Sequence, residues 1–215
     1  MSGVEVIRVF TDGAGGFGNP LGIIDAAAVA PSARQALAQR LGYSETVFVG
    51  QAVDGVVPVQ IFTPSVELAF AGHPSVGTAW WLARRGMIIH TLAVSAGDVA
   101  VRYDGELTWI TADPSWAPEF TFHALESAAA VDAVDPHHLG GGHHYFWAWQ
   151  GEGVIRSRMC APGLGIVEDE ATGAAAVRLT GLLQRDLEIH QGLGSILTTT
   201  LLPSGSVELG GRCAD

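Results

Sequence analysis

Three acid–base side chains stand where the chain passes from one predicted element to the next. Glu45 follows a predicted helix over 32–41 and opens an apolar strand. His73 and Asp169 each lie between a predicted strand and a predicted helix. Two carboxylates and an imidazole around one cleft would suit proton transfer. Taken singly, each has a plainer explanation: Glu45 as a solvated strand start, and Asp169 as a helix N-cap.

The elements that must position these side chains include two similar helical segments. Residues 72–79 align with 168–175, which places His73 opposite Asp169. The helices predicted over 75–85 and 171–183 are apolar on nearly every face, which is typical of helices enclosed by other elements. Their N-termini offer free N–H groups and the positive end of a dipole, so two such ends facing one cleft would bind a carboxylate.

The pattern predicts an α+β chain of two similar lobes, each with a central helix wrapped by strands. We place the boundary at residues 113/114, giving an N-terminal lobe over 1–113 and a shortened C-terminal lobe over 114–215. This prediction allows the last residues of the chain to pack with the N-terminal lobe. A glycine-rich turn is predicted over 12–20, a short strand over 21–24, and Ser32 as a helix N-cap.

Three other motifs in the sequence suggest a different chemistry: a dinucleotide site, a metal site and a two-thiol racemase. Residues 13–18 match G-x-G-x-x-G, but Asn19-Pro20 prevents the helix that a dinucleotide site needs. A histidine-rich stretch (His137, His138, His143 and His144) keeps metal binding open as a minority alternative, although adjacent histidines on a glycine-rich loop more often face solvent. Cys160 and Cys213 lie away from both predicted helix mouths, so a two-thiol racemase is disfavoured.

Composition narrows the partners and the compartment. The formal net charge is −11, so nucleic acid is not an expected partner. No apolar run approaches the roughly 20 residues that span a bilayer, so no membrane association is expected. The first twelve residues read as a strand and lack a signal-peptide pattern. With two cysteines only, we expect a reducing, cytoplasmic location.

Five sequence blocks, in order over nearly the whole chain, resemble the phenazine-biosynthesis (PhzF-like) isomerases. They are VFT…GNPL at 9–11 and 18–21, SETVF at 44–48, IFTP…ELAFAGHPSVG at 61–64 and 67–77, RMCAP…GIVEDEATG at 158–162 and 165–173, and QG…GG at 191–192 and 210–211. One block alone would be weak, whereas five in the right order are specific.

The resemblance implies the diaminopimelate-epimerase fold, a homodimer and no cofactor. It also implies a small substrate that carries a carboxylate, such as a dihydro-hydroxyanthranilate or a related diene. Glu45 matches the family's acid/base, and His73 and Asp169 match residues that line its site. The residues expected to bind substrate are Ser44, Gly72, Thr172 and Gly173.

The chain departs from the family pattern at several positions. Ala174 stands where a serine is usual, Glu170 replaces a proline, and residues 194–197 lack the usual arginine. The chain is also shorter, with the loss between about Leu125 and Tyr145. Two hypotheses therefore remain: an isomerase that moves a proton through Glu45, and a non-catalytic relative that binds a small metabolite.

Overall fold

The computed structural model describes residues 3–215, which contain fifteen strands and four α-helices. The strands are β1 (Glu5–Thr11), β2 (Phe17–Asp25), β3 (Glu45–Val49), β4 (Val56–Phe62), β5 (Glu67–Leu68), β6 (Thr91–Val94), β7 (Gly97–Asp104), β8 (Leu107–Ala112), β9 (Thr121–Ala124), β10 (His144–Gly151), β11 (Val154–Ala161), β12 (Ile166–Asp169), β13 (Leu187–Gln191), β14 (Ser195–Leu201) and β15 (Val207–Ala214). The helices are α1 (Pro31–Leu41), α2 (Gly72–Arg84), α3 (Ala128–Asp132) and α4 (Gly173–Leu183).

Strands from the first half of the chain, together with the last strand β15, form a closed ring around α2. The order β1-β2-β3-β4-β6-β7-β8-β15 returns to its start because β15 pairs with β8 and also with β1. The β2–β3 and β4–β6 pairs are parallel, and the other pairs in the ring are antiparallel. Helix α2 contacts β1, β2, β3, β8 and β15 from within this ring.

The second half continues the same sheet from β15 through β14, β13, β11, β10 and β9. The β11–β13 and β9–β10 pairs are parallel. Helix α4 packs against β14 and β15, and α3 packs against β10 and β11. One large core of buried apolar side chains runs through both halves. The lobe boundary at residues 113/114 stays a prediction.

Burial explains why two short helices without side-chain N-caps are stable here. Every residue of α2 from Gly72 to Ala79 is buried, as is every residue of α4 from Gly173 to Val177. Most helical stability in proteins comes from such tertiary packing rather than from propensity. The expected apolar enclosure is therefore confirmed for the N-terminal turns. It is wrong for Leu182, which is 64% exposed where α4 leaves the core.

Several local predictions need correction. Strand β2 begins at Phe17 rather than at residue 21, because the turn is confined to 12–16, where the Asp12 carboxylate accepts from the N–H groups of Ala14 and Gly16. Ser32 is not the N-cap of α1. Pro31 occupies the first helical position, and the capping residue Ala30 makes no side-chain bond.

The internal alignment of the two helical segments is wrong in register. Helix α2 begins at Gly72 and α4 begins at Gly173, so these two glycines are the equivalent positions. His73 is the second residue of its helix, whereas Asp169 ends β12 ahead of α4.

No helix in residues 3–215 is long and apolar enough to cross a membrane.

Candidate active site

The N-termini of α2 and α4 touch each other through two glycines. A Cβ atom built on Gly72 would lie 2.9 Å from the carbonyl carbon of Gly173. A Cβ atom on Gly173 would lie 2.9 Å from the backbone nitrogen of His73. No side chain fits at such separations, so glycine at both positions is what lets the two helix ends, with their free N–H groups, share one point.

Glu45 and His73 face each other beside this contact. Glu45 opens β3, which pairs in parallel with β2, and His73 lies in the first turn of α2. Glu45 Oε2 is 3.2 Å from His73 Nδ1, and the side chains are 18% and 4% exposed. Apart from this contact, Glu45 Oε2 has no hydrogen-bond partner among residues 3–215, and the buried His73 Nε2 has none of good geometry. Buried polar atoms without partners are unusual and are a feature of ligand sites.

Asp169 is held by hydrogen bonds from both halves of the chain. Its Oδ1 accepts from Asn19 Nδ2 at 2.6 Å, and its Oδ2 accepts from the Thr172 hydroxyl at 2.5 Å. Asn19 Nδ2 also donates to the Ala171 carbonyl, and its Oδ1 accepts from the Ser44 hydroxyl at 3.3 Å. Asn19, on β2, therefore links Ser44, the residue before Glu45, to the segment that precedes α4.

A buried amide behind Asp169 orders the same segment. Gln191 Nε2 donates to the Thr172 hydroxyl and to the Asp169 carbonyl, and its Oε1 accepts from the Thr172 N–H. The Tyr145 hydroxyl lies 3.1 Å from the same Oε1 and 2.9 Å from Ser157 Oγ. Since the Thr172 oxygen accepts from Gln191, its own proton is left for Asp169.

Glu170, which stands where the resemblance leads one to expect a proline, is held by hydrogen bonds to the turn after β13. Its carboxylate accepts from the N–H groups of Leu193 and Gly194 and from the Ser195 hydroxyl. The turn over 192–194, together with Ser195 in the segment that lacks the expected arginine, is thereby tied to the segment that carries Asp169. The carboxylate also lies so close to Gly192 that a Cβ there would collide with it.

The electrostatics of the three acid–base groups follow from their burial. Burial raises the pKa of Glu45 to about 7, although the neighbouring Ser44 hydroxyl lowers it. Burial, and after it the charge of Glu45, raise the pKa of Asp169 to about 6, against the lowering effect of Thr172. Burial lowers the pKa of His73 to about 4, although the charge of Asp169 raises it. At neutral pH, Asp169 is therefore mainly ionised, His73 is neutral, and Glu45 is poised between its two states.

The structure brings together all seven residues expected at the site: Glu45, His73, Asp169, Ser44, Gly72, Thr172 and Gly173. Sequence reasoning missed the structural roles of Asn19, Gln191 and Tyr145. Asn19 and Gln191 lie inside the GNPL and QG blocks, which was the available signal. Tyr145 gave none, because its contact with Gln191 joins residues that are 46 positions apart.

The alternative chemistries lie elsewhere in the fold. Cys160 and Cys213 are on β11 and β15, and neither lies in the first turn of α2 or α4. His137 and His138 are exposed in a short 3-10 turn. Within residues 3–215, no group of three histidine, cysteine or acidic side chains is placed to hold a metal ion.

Comparison with known proteins gives consistent relatives. Residues 7–112 match the family model of the phenazine biosynthesis-like proteins, PhzC-PhzF. A trans-2,3-dihydro-3-hydroxyanthranilate isomerase from Pseudomonas chlororaphis is 31% identical over 220 residues, which cover 81% of this chain and 77% of the relative. A phenazine biosynthesis PhzC/PhzF protein from Clostridium difficile superimposes with a TM-score of 0.76 at 17% identity, covering 98% of this chain and 95% of that one. A probable proline racemase from Agrobacterium radiobacter superimposes with a TM-score of 0.64 at 12% identity, covering 98% and 89% of the two chains.

The architecture is the α+β, diaminopimelate-epimerase-like fold that the resemblance implied, shared by PhzF proteins and proline-racemase-like enzymes. Within that class, the chain belongs to the phenazine biosynthesis-like (PhzF) family of isomerases.

Proposed function

We propose that the protein is an acid–base isomerase that shifts a double bond in a small carboxylate-bearing diene, with Glu45 moving the proton. The observation that carries the proposal is the Glu45 carboxyl, 3.2 Å from His73 in a buried site, with a pKa of about 7. A group that removes and returns a proton near neutral pH works best with such a pKa. The isomerase relative named above acts on a substrate of this class.

The helix ends account for substrate binding in this proposal. The first N–H groups of α2 and α4 converge because Gly72 and Gly173 touch. A substrate carboxylate held there would be stabilised by those N–H groups and by both helix dipoles. Ser44 and Thr172 lie at the rim of the same site through their bonds to Asn19 and Asp169.

The proton transfer conserves atoms and charge. Ionised Glu45 takes a proton from a substrate carbon, and the electron pair of the broken C–H bond spreads through the diene towards the bound carboxylate. The helix N-termini stabilise the negative charge that gathers there. Glu45 then returns the proton to a different carbon, so the product is an isomer and the enzyme is unchanged. His73 orients the Glu45 carboxyl through Nδ1, and Asp169 keeps its charge beside His73.

The test is turnover in D₂O with trans-2,3-dihydro-3-hydroxyanthranilate and related dihydroaromatic amino acids, followed by mass spectrometry and NMR. Replacing Glu45 by Gln keeps the size and removes the base, and we expect a loss of about 10²–10⁴-fold in rate. Glu152→Gln, in an exposed turn, is the matched control and should retain full activity. Wild-type turnover by Glu45→Gln would overturn the assignment of the base. A wild-type protein inactive on every diene would instead favour a non-catalytic binding protein.

A further inference from the structure

A mainly apolar cavity lies beside the candidate active site, since Ser44, the neighbour of Glu45, is among its lining residues. Its volume is about 570 Å³, which is within the usual range for ligand pockets. One wall includes Tyr43, Val66 and Leu68 from the first half of the chain. The opposite wall includes Pro118, Leu164 and Ile166 from the second half.

Three chain segments run directly from this cavity into the candidate active site. Ser44 lines the cavity and is followed by Glu45. Leu68 lines it and ends β5, just ahead of the start of α2. Ile166 lines it and begins β12, the four-residue strand that ends at Asp169. At about 3.3 Å per residue, that strand spans roughly 10 Å, so one elongated molecule could occupy both spaces.

The walls of the cavity favour an apolar occupant. No lysine, arginine, aspartate or glutamate is among the lining residues, and the polar side chains there are His143 and the hydroxyls of Ser44, Thr63 and Ser65. A second anionic group on the substrate would therefore find no permanently charged cation in the cavity. Val66, Leu164 and Ile166 are 53%, 55% and 37% exposed, so the rim leaves apolar surface open to water. Such patches beside a cleft are typical of binding surfaces.

We infer that this cavity is a specificity pocket for an apolar ring or alkyl extension of the substrate, on the side of the molecule away from its carboxylate. The inference rests on the proposed function, because the carboxylate must sit at the helix ends for the rest of the molecule to reach the cavity. Within the carboxylate-bearing dienes of the proposed function, the preferred substrates are therefore those that carry such an extension.

The experiment compares benzoate with biphenyl-4-carboxylate by isothermal titration calorimetry. The two probes share the carboxylate, and the second adds one ring in line with it. In the wild-type protein we expect biphenyl-4-carboxylate to have a Kd lower by about tenfold or more, because an added ring buries apolar surface.

Two substitutions place a charge on opposite walls of the cavity. Val66→Asp and Ile166→Asp should each abolish the preference for the second ring, since a carboxylate there keeps its water. Both positions are partly exposed, so neither side chain is essential to the core. Val53→Asp is the matched control: Val53 is 63% exposed, is not among the cavity-lining residues, and its replacement should keep the wild-type preference.

The outcomes separate this inference from the proposed function. If wild-type protein binds benzoate, but binds biphenyl-4-carboxylate no more tightly, the specificity pocket is wrong and the carboxylate site stands. A preference for the second ring that survives in both wall variants would also overturn the pocket. If neither probe binds, the carboxylate site fails, and the inference about the cavity fails with it.

Discussion

Gly72 and Gly173 meet so closely that a Cβ atom on either glycine would lie about 3 Å or less from the backbone of the other helix. The contact joins the first turns of α2 and α4. It fixes the separation of two helix dipoles that both point at the candidate site. Any side chain at these positions would have to push the helices apart.

The first prediction concerns this contact. Gly173→Ala should lower the free energy of unfolding by about 1–3 kcal/mol, since the added methyl group is overpacked against backbone. It should also weaken the binding of simple carboxylates such as benzoate, because the N–H groups no longer converge. Chemical denaturation and calorimetry measure the two effects. Gly140→Ala is the control, since a Cβ there meets nothing within 4 Å. Unchanged stability and unchanged binding in Gly173→Ala would contradict the close contact.

The second prediction concerns the pH dependence of turnover. Burial raises the pKa of Glu45 to about 7, and the ionised form is the base in the proposed reaction. The value of kcat/KM should therefore fall about tenfold for each pH unit below about 7 and level off above it. His73 adds no step in this range, because burial lowers its pKa to about 4. Asp169, whose pKa burial raises to about 6, should steepen the fall below pH 6 as it loses its charge. Initial rates between pH 5.5 and 8.5 test this, and a flat profile would be inconsistent with Glu45 as the base.

The third prediction concerns stability. Glu45 holds its proton up to about pH 7 in the folded protein, whereas its ordinary pKa is 4.5. As pH rises from about 4.5 to 7, the unfolded chain loses this proton first, so the free energy of unfolding falls. Glu45→Gln removes that titration. The variant should therefore be more stable than wild type above pH 7, by about 1–3 kcal/mol, and the difference should vanish near pH 4.

Urea denaturation at pH 4, 6 and 8 follows this difference, and Glu152→Gln again serves as the exposed control. An active-site group that destabilises the fold while serving the reaction is a common cost of function. A variant less stable than wild type at pH 8 would show that Glu45 is stabilised, rather than penalised, by its surroundings.

The fourth prediction concerns the amide behind Asp169. Gln191→Met keeps the length of the side chain but removes the hydrogen bonds to Thr172 and to the Asp169 carbonyl. Leaving these buried groups without partners should cost about 1–3 kcal/mol of stability. Because the Thr172 hydroxyl is then free to turn away from Asp169, kcat should fall more than KM rises, and the pH profile should shift upwards. Gln51→Met, on the exposed surface, should change nothing. Loss of stability with an unaltered pH profile would assign Gln191 a structural role only.

Local patterns were sufficient to predict the elements that carry the site. Apolar periodicity and the glycines at element ends predicted the bounds of α1 to within one residue. The same patterns predicted the first residues of α2 and α4 to within three residues. The same patterns placed Glu45 and His73 near the start of a strand and of a helix, and Asp169 just ahead of a helix, and the family resemblance gave their proposed roles.

Contacts between distant parts of the chain could not be predicted in this way. Asn19 and Asp169 are 150 positions apart, and their hydrogen bond depends on the pairing of many strands between them. The equivalence of Gly72 with Gly173 was also missed, because the internal alignment matched the commoner glycine and alanine positions. Both contacts form between groups that only the complete fold brings together and buries, so no short stretch of sequence predicts them.

The last strand has a consequence for the order in which the protein can be built. Strand β15 fills the gap between β8 and β1, so the ring around α2 is completed by residues 207–214. On the ribosome, a nascent chain that ends before β15 leaves the open edges of β1 and β8 without their partner. Unpaired edges invite association with other chains, and closing a ring over so long a loop is slow. The enclosure of α2 must therefore wait until residues 207–214 have left the ribosome.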